Sequence, residues 1–99
     1  MVIRVKVSEI KPSNIANYIK LEEGEYKDDE LQVLIDVSKA FIKSYTGLND
    51  EAIDKHEDFV IVVYILCQDM YDNRRLYVDK NNLNKVVDTI LGMHSVNYL

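Results

Sequence analysis

Glycine and proline are scarce in this chain, with 3 glycines and 1 proline in 99 residues. Neither residue occurs between Gly47 and Gly92. A sheet with tight turns needs such residues at its turns, whereas helices exclude them from their interiors. The chain is therefore predicted to be mostly α-helical, and its length suits a single domain over residues 1–99 with one core.

The spacing of apolar residues predicts a small bundle of about four helices. The third helix depends on the run Phe59–Cys67, which is wholly apolar and rich in β-branched residues. Such residues also suit a buried strand, but each costs only about 0.5 kcal/mol in a helix, and burying its side chain returns about 1.5–3 kcal/mol. The unbroken length of the segment decides for a helix. The predicted helices cover residues 13–21, 29–46, 50–73 and 82–91.

Helix ends are marked by polar residues that can accept hydrogen bonds from free backbone N–H groups. Asn49 or Asp50 is expected to cap the third helix, and Asn81 or Asn82 the fourth. The expected core includes large apolar side chains of the second and third helices. The positions predicted to be most buried are Leu34, Phe41, Ile61, Ile65 and Leu66.

A short N-terminal strand is the one expected exception to the all-α fold. Ile3, Val5 and Val7 alternate with polar residues, which is the period of a half-exposed strand. A lone strand needs a partner. The tail Ser95–Leu99 and a neighbouring subunit are the two candidates.

Composition and charge limit the classes of function. The chain is 47% apolar and 29% charged, which is typical of a globular protein and too apolar for a disordered one. The run Phe59–Cys67 is far shorter than the ~20 apolar residues of a membrane span, and the N-terminus lacks the apolar segment of a secretory signal. We therefore expect no membrane association and a place in the cytoplasm of the producing cell.

The net charge of −5 is unevenly distributed. Residues 1–20 sum to +3, residues 21–73 to −10 and residues 74–99 to +2. The acidic middle segment disfavours tight binding of DNA or RNA, because its negative charges repel the phosphate backbone. Complementary ends and middle suit contact between copies of the chain, although solvated charged faces explain the same pattern.

No catalytic, cofactor-binding or metal-binding motif is found in the sequence, so none of these sites is predicted. His56 and His94 lie far apart and fit no standard ligand spacing. Cys67 lies in an apolar run with no histidine beside it to favour a thiolate. The acids Asp28, Asp29 and Glu30 lack the glycine and spacing of a calcium loop, and the N-terminus of a helix explains them.

The most distinctive local sequence is Tyr71-Asp-Asn-Arg-Arg75, at the end of the third predicted helix. A helix end accounts for it: Asn73 takes the left-handed conformation, and Arg74 and Arg75 complement the negative end of the helix dipole. A site of contact with another protein is the alternative interpretation.

Three segments, in this order, resemble a known family. They are SEIKPSNIANYIKLE, KDDELQVLIDVSKAFIKSYTG and LCQDMYDNRRLY. Together they are similar to the small head-tail connector proteins of tailed bacteriophages, and the resemblance extends over nearly the whole chain.

This resemblance implies a non-enzymatic virion protein at the head-tail junction, present in the host cytoplasm during assembly. About a dozen copies would form a ring between the portal protein and a stopper or tail-completion protein, and DNA would pass through without specific binding. A small dimeric helical regulatory protein-binding module is the alternative, and a helix-turn-helix DNA binder is disfavoured by the lack of a basic helix. The residues expected at the subunit interface are Asp28, Asp29, Glu30, Tyr71, Asn73, Arg74 and Arg75.

Overall fold

Five α-helices are present in the computed structural model, which describes residues 5–95. No strand occurs in that range, and the all-α prediction is confirmed. Single 3-10 turns at Val7–Glu9 and Lys80–Asn82 precede α1 and α5. The helices are α1 Pro12–Ile19, α2 Asp28–Thr46, α3 Asp50–Asp54, α4 Asp58–Asp72 and α5 Lys85–His94.

The predicted N-terminal strand is not found in its described part, residues 5–7. Val7 begins a 3-10 turn, and its side chain is buried in the core. Residues 1–4, and 96–99 of the tail proposed as a pairing partner, lie outside the described residues. Within the described residues, Val7 fills the core instead of pairing in a sheet.

The helix predicted over residues 50–73 is two helices, separated by Lys55–Glu57. Asn49 caps the first of them as predicted, because its side-chain oxygen accepts from the Ala52 backbone N–H at 2.8 Å. At the other end of α3, the Asp54 carboxylate accepts from the backbone N–H and the hydroxyl of Ser8, at 3.0 and 2.6 Å. These bonds hold α3 against the N-terminal turn, and α4 continues separately along α2.

The last helix begins three residues later than residue 82. Asn81 and Asn82 belong to a 3-10 turn capped by Asp79, which accepts from the Asn81 N–H at 3.2 Å and the Asn82 side-chain amide at 3.0 Å. Asn84 caps α5 instead, accepting from the Val86 N–H at 2.8 Å. The prediction that Asn81 or Asn82 caps this helix was wrong, because both residues donate hydrogen bonds to Asp79 in the preceding 3-10 turn.

The core forms where α2 and α4 pack antiparallel. The Ser38 hydroxyl and the Cys67 sulfur lie 3.5 Å apart midway along the pair, while Leu34 and Met70 line one groove nearer the start of α2. Within residues 5–95, no helix is long and apolar enough to cross a membrane. The fully or nearly fully buried apolar side chains include Ile15, Leu31, Leu34, Ile35, Phe41, Ile42, Phe59, Val62, Val63, Leu66, Met70, Val87 and Leu91.

Leu34, Phe41 and Leu66 are buried as predicted, but Ile61 is not. Its side chain is 39% exposed, and Ile65 is only partly buried. The wholly apolar run around these residues gives no periodic signal of which side faces solvent. The structure identifies that side of α4 as the one that carries Ile61.

Candidate subunit interface

A groove of about 330 Å³ lies between the first turns of α2 and the end of α4. Four of the residues predicted at a subunit interface line it together. These residues are far apart in sequence, and the antiparallel packing of α2 and α4 brings them to one end of the pair. They are Glu30, Tyr71, Arg74 and Arg75.

The floor of the groove is apolar and its rim is partly exposed. Leu34 and Met70 belong to the buried core, whereas Val33 is 43% and Leu76 68% exposed. Sequence reasoning did not select Val33 or Leu76 as interface residues. The sequence feature that could have identified Leu76 is the apolar pair Leu76-Tyr77, which lies in a stretch with no helical period.

The backbone turns sharply at the end of α4, and the residues of this turn line one side of the groove. Asn73 was expected to take the left-handed conformation, but its φ is −100° and Arg74 takes that conformation with φ 56°. The Asn73 side-chain amide donates to the Asp69 carbonyl and carboxylate, at 2.9 and 3.1 Å. Asn73 thereby closes the last helical turn, and the reversal falls one residue later.

Arg75 is held within its own chain. Its guanidinium donates to the Asp69 carboxylate at 2.6 Å, lies 3.9 Å from the Asp79 carboxylate, and sits 5.8 Å from the centre of the Tyr77 ring. The hydrogen bond to Asp69 raises the pKa of Arg75. Its Nε is buried without a hydrogen-bond partner among the described residues. Arg75 therefore stabilises the turn after α4, and its guanidinium is mostly engaged in contacts within its own chain.

Arg74 is the cation of the groove that is free to meet a partner. Its side chain is exposed, lies 5.9 Å from the centre of the Tyr71 ring, and makes no ion pair within residues 5–95. Glu30 supplies an exposed negative charge on the α2 side. The groove thus offers an apolar floor with one free charge of each sign.

The other predicted interface residues do not line this groove. Asp28 lines a different surface depression with Lys11 and Tyr26, and Asp29 is exposed in the first turn of α2. Asn73 is engaged with Asp69. Of the acids Asp28, Asp29 and Glu30, only Glu30 lines the groove.

A second exposed apolar surface runs along α5. Val86 is 50% and Met93 69% exposed, and Ile90 lies partly buried between them on the same side of the helix. We call these three residues the α5 stripe. Tyr45 at the end of α2 donates to Asp88 of α5 at 3.1 Å, and about 22 Å of helix separates Tyr45 from Glu30.

The thiol of Cys67, the only cysteine, is expected to have low reactivity. It is fully buried, and burial raises the pKa of its thiol to about 11, despite a contact with the Ser38 hydroxyl that lowers it. The nucleophilic form is the thiolate, which is scarce at such a pKa. Nucleophilic chemistry at this residue is thus disfavoured.

Native Cys67 is expected to react with a thiol reagent at pH 8 at least about a hundredfold more slowly than the unfolded chain. Two units of pKa relative to the usual 9.0 reduce the thiolate fraction by that factor, and burial blocks access as well. Labelling with and without urea measures the ratio. Equal rates in both conditions would contradict the burial of this thiol.

Comparisons with protein-family models, with curated proteins and with solved structures find no match to this chain.

Proposed function

We propose that this chain is a structural subunit, with no catalytic step, that assembles head to tail with copies of itself into an adaptor ring. The observation that carries the proposal is the pair of separate exposed apolar surfaces, the groove and the α5 stripe. A ring of identical subunits needs two different surfaces that meet, because its interfaces are heterologous. An isologous dimer needs only one.

The two surfaces lie toward opposite ends of the α2–α4 pair. The groove contains Tyr71 at the end of α4, while α5 is tied by its last residue, His94, to Asp58 at the start of α4. About 20 Å of helix separates Asp58 from Tyr71. An interface between the groove of one copy and the α5 stripe of the next therefore extends a chain of subunits rather than closing a pair.

The charges on the two surfaces permit this contact. The groove has Arg74 and Glu30, and α5 has Lys85 and Asp88 exposed beside its stripe. Opposite charges at the rim of an interface steer association and set its register. Arg74 and Tyr71, placed against an apolar floor, are residue types that often dominate binding energy.

The resemblance to bacteriophage head-tail connectors gives this assembly a role. In that role the ring lies at the head-tail junction of the virion, between the portal and a stopper or tail-completion protein, and forms a conduit for DNA. The −10 balance of residues 21–73 supports it, because DNA that slides through a conduit must not be held by phosphate contacts.

The test is the mass of the protein in solution and its response to Arg74→Glu. Native mass spectrometry and sedimentation at rising concentration are expected to show oligomers larger than a dimer. Arg74→Glu should raise the concentration needed for assembly by about tenfold or more, with the melting temperature nearly unchanged. A stable dimer as the largest species would favour a dimeric regulatory protein instead.

Lys20→Glu is the matched control. Lys20 is also exposed and also has a left-handed backbone, with φ 68°, but it does not line the groove. It should leave assembly unchanged. If Arg74→Glu lowers the melting temperature and leaves the mass distribution as it was, Arg74 acts only at the end of its own helix and the groove is not the interface.

A further inference from the structure

Two histidines and an aspartate that are distant in sequence converge beside the last turn of α5. His56 lies in the connection between α3 and α4, Asp58 is the first residue of α4, and His94 is the last residue of α5. The Nε2 of His94 lies 2.9 Å from the Asp58 carboxylate, and the two imidazole rings are 4.2 Å apart between centroids. One potential ligand atom from each residue lies within 4.8 Å of the others.

Packing holds this cluster in place from one side. Phe59 is fully buried, and its ring centroid lies 4.9 Å from that of His94 and 5.6 Å from that of His56. The three polar side chains themselves are only partly buried. An ion can therefore reach them from solvent, while the apolar wall limits hydration behind the imidazoles.

We propose that His56, Asp58 and His94 form a binding site for a divalent transition-metal ion of the zinc type. Imidazole nitrogen with one carboxylate oxygen is a ligand set typical of zinc, whereas calcium and magnesium prefer oxygen alone. Three protein ligands leave a further position for water. This site is independent of the proposed assembly function.

The observed spacing is close to that of a coordination sphere. With metal–ligand distances of about 2.0–2.2 Å in a tetrahedron, ligand atoms lie about 3.3–3.6 Å apart. The 2.9 Å separation between His94 and Asp58 is about 0.4 Å below this range, and no separation in the cluster exceeds it by more than about 1.2 Å. Small side-chain rotations of partly exposed groups cover both differences.

A metal here ties the end of α5 to the start of α4. The ion binds the folded arrangement because the three ligands come together only there. Binding to the folded state alone raises the stability of the protein by mass action. The expected signature is a melting temperature that depends on the concentration of the metal.

Zinc titration of the purified, metal-free protein at pH 7.5 tests the proposal. Calorimetry is expected to show one zinc ion bound per chain, with no matching signal for magnesium. At a free zinc concentration about a hundred times Kd, the melting temperature should rise by about 10–20 °C. Absence of this rise at millimolar zinc would overturn the proposal.

Variants assign the effect to the cluster. His56→Gln and His94→Gln should each weaken zinc binding by at least about tenfold. His94→Gln also removes the bond to Asp58 and can lower stability without metal, so the increment caused by zinc is compared, not the melting temperature itself. Because His56 makes no such bond, His56→Gln gives the cleaner result.

Glu57→Gln is the control, because Glu57 is an exposed carboxylate next to the cluster that contributes no ligand atom to it. It should preserve zinc binding. Equal zinc stabilisation of His56→Gln and the unaltered chain would overturn the site. A zinc-dependent rise in mass, measured by sedimentation on the same samples, would show a site between copies and equally contradict one within the chain.

Discussion

Leu66→Ala is expected to lower the free energy of unfolding by about 2–5 kcal/mol. Leu66 is 4% exposed and lies in the core formed where α4 packs against α2. Removing its branched end takes away apolar contact and leaves a cavity that the surrounding helices only partly fill. Urea unfolding followed by circular dichroism measures the loss.

Ile61→Ala is the matched comparison on the same helix. Its side chain is 39% exposed, so truncation removes less buried surface, and the expected loss is below about 1 kcal/mol. The comparison is made at low protein concentration, where self-association contributes least. Similar losses for the two variants would show that the side of α4 assigned to solvent is buried.

The contrast between these two residues explains where sequence reasoning succeeds for α4 and where it ends. The absence of helix breakers correctly predicts helical structure over this region. A run that is apolar all round contains no periodic pattern, so it cannot indicate which residue faces outward. Ile61 was assigned to the core for this reason.

The break after α3 has a different cause. Nothing in the composition of Lys55–Glu57 ends a helix, since no glycine or proline is present. The break accompanies contacts of Asp54 with Ser8, 46 residues away, and burial of Ile53. Local propensity is a weak guide where tertiary contacts of this kind decide the path of the chain.

The groove and the histidine cluster show how far candidate sites can be predicted from sequence. Charge pattern selected Glu30 and Arg74, because acids and bases at helix ends are visible without a fold. The apolar rim residue Leu76 and the convergence of His56 with His94 depend on helix packing. Such convergence between elements leaves no fixed spacing that a motif could match.

Head-to-tail assembly makes a specific prediction for two variants, each of which disrupts one of the two proposed contact surfaces. Leu76→Asp places a charge in the groove, and Met93→Asp places one on the α5 stripe. Both side chains are more than two-thirds exposed, so neither change removes core contacts. Each variant alone is expected to need about thirtyfold higher concentration to self-associate than the unaltered chain, since a buried unpaired charge at an interface costs about 2 kcal/mol or more.

Mixed together, the two variants should form a one-to-one pair and nothing larger. The Leu76→Asp chain still has its α5 stripe, and the Met93→Asp chain still has its groove, so one good interface remains between them. Native mass spectrometry distinguishes the pair if one variant is isotopically labelled. If groove meets groove instead, Met93→Asp dimerises by itself, Leu76→Asp stays monomeric, and the mixture contains no pair of unlike chains. That result would replace the ring with an isologous dimer, because a surface that pairs with its own copy leaves nothing free to bind the next subunit.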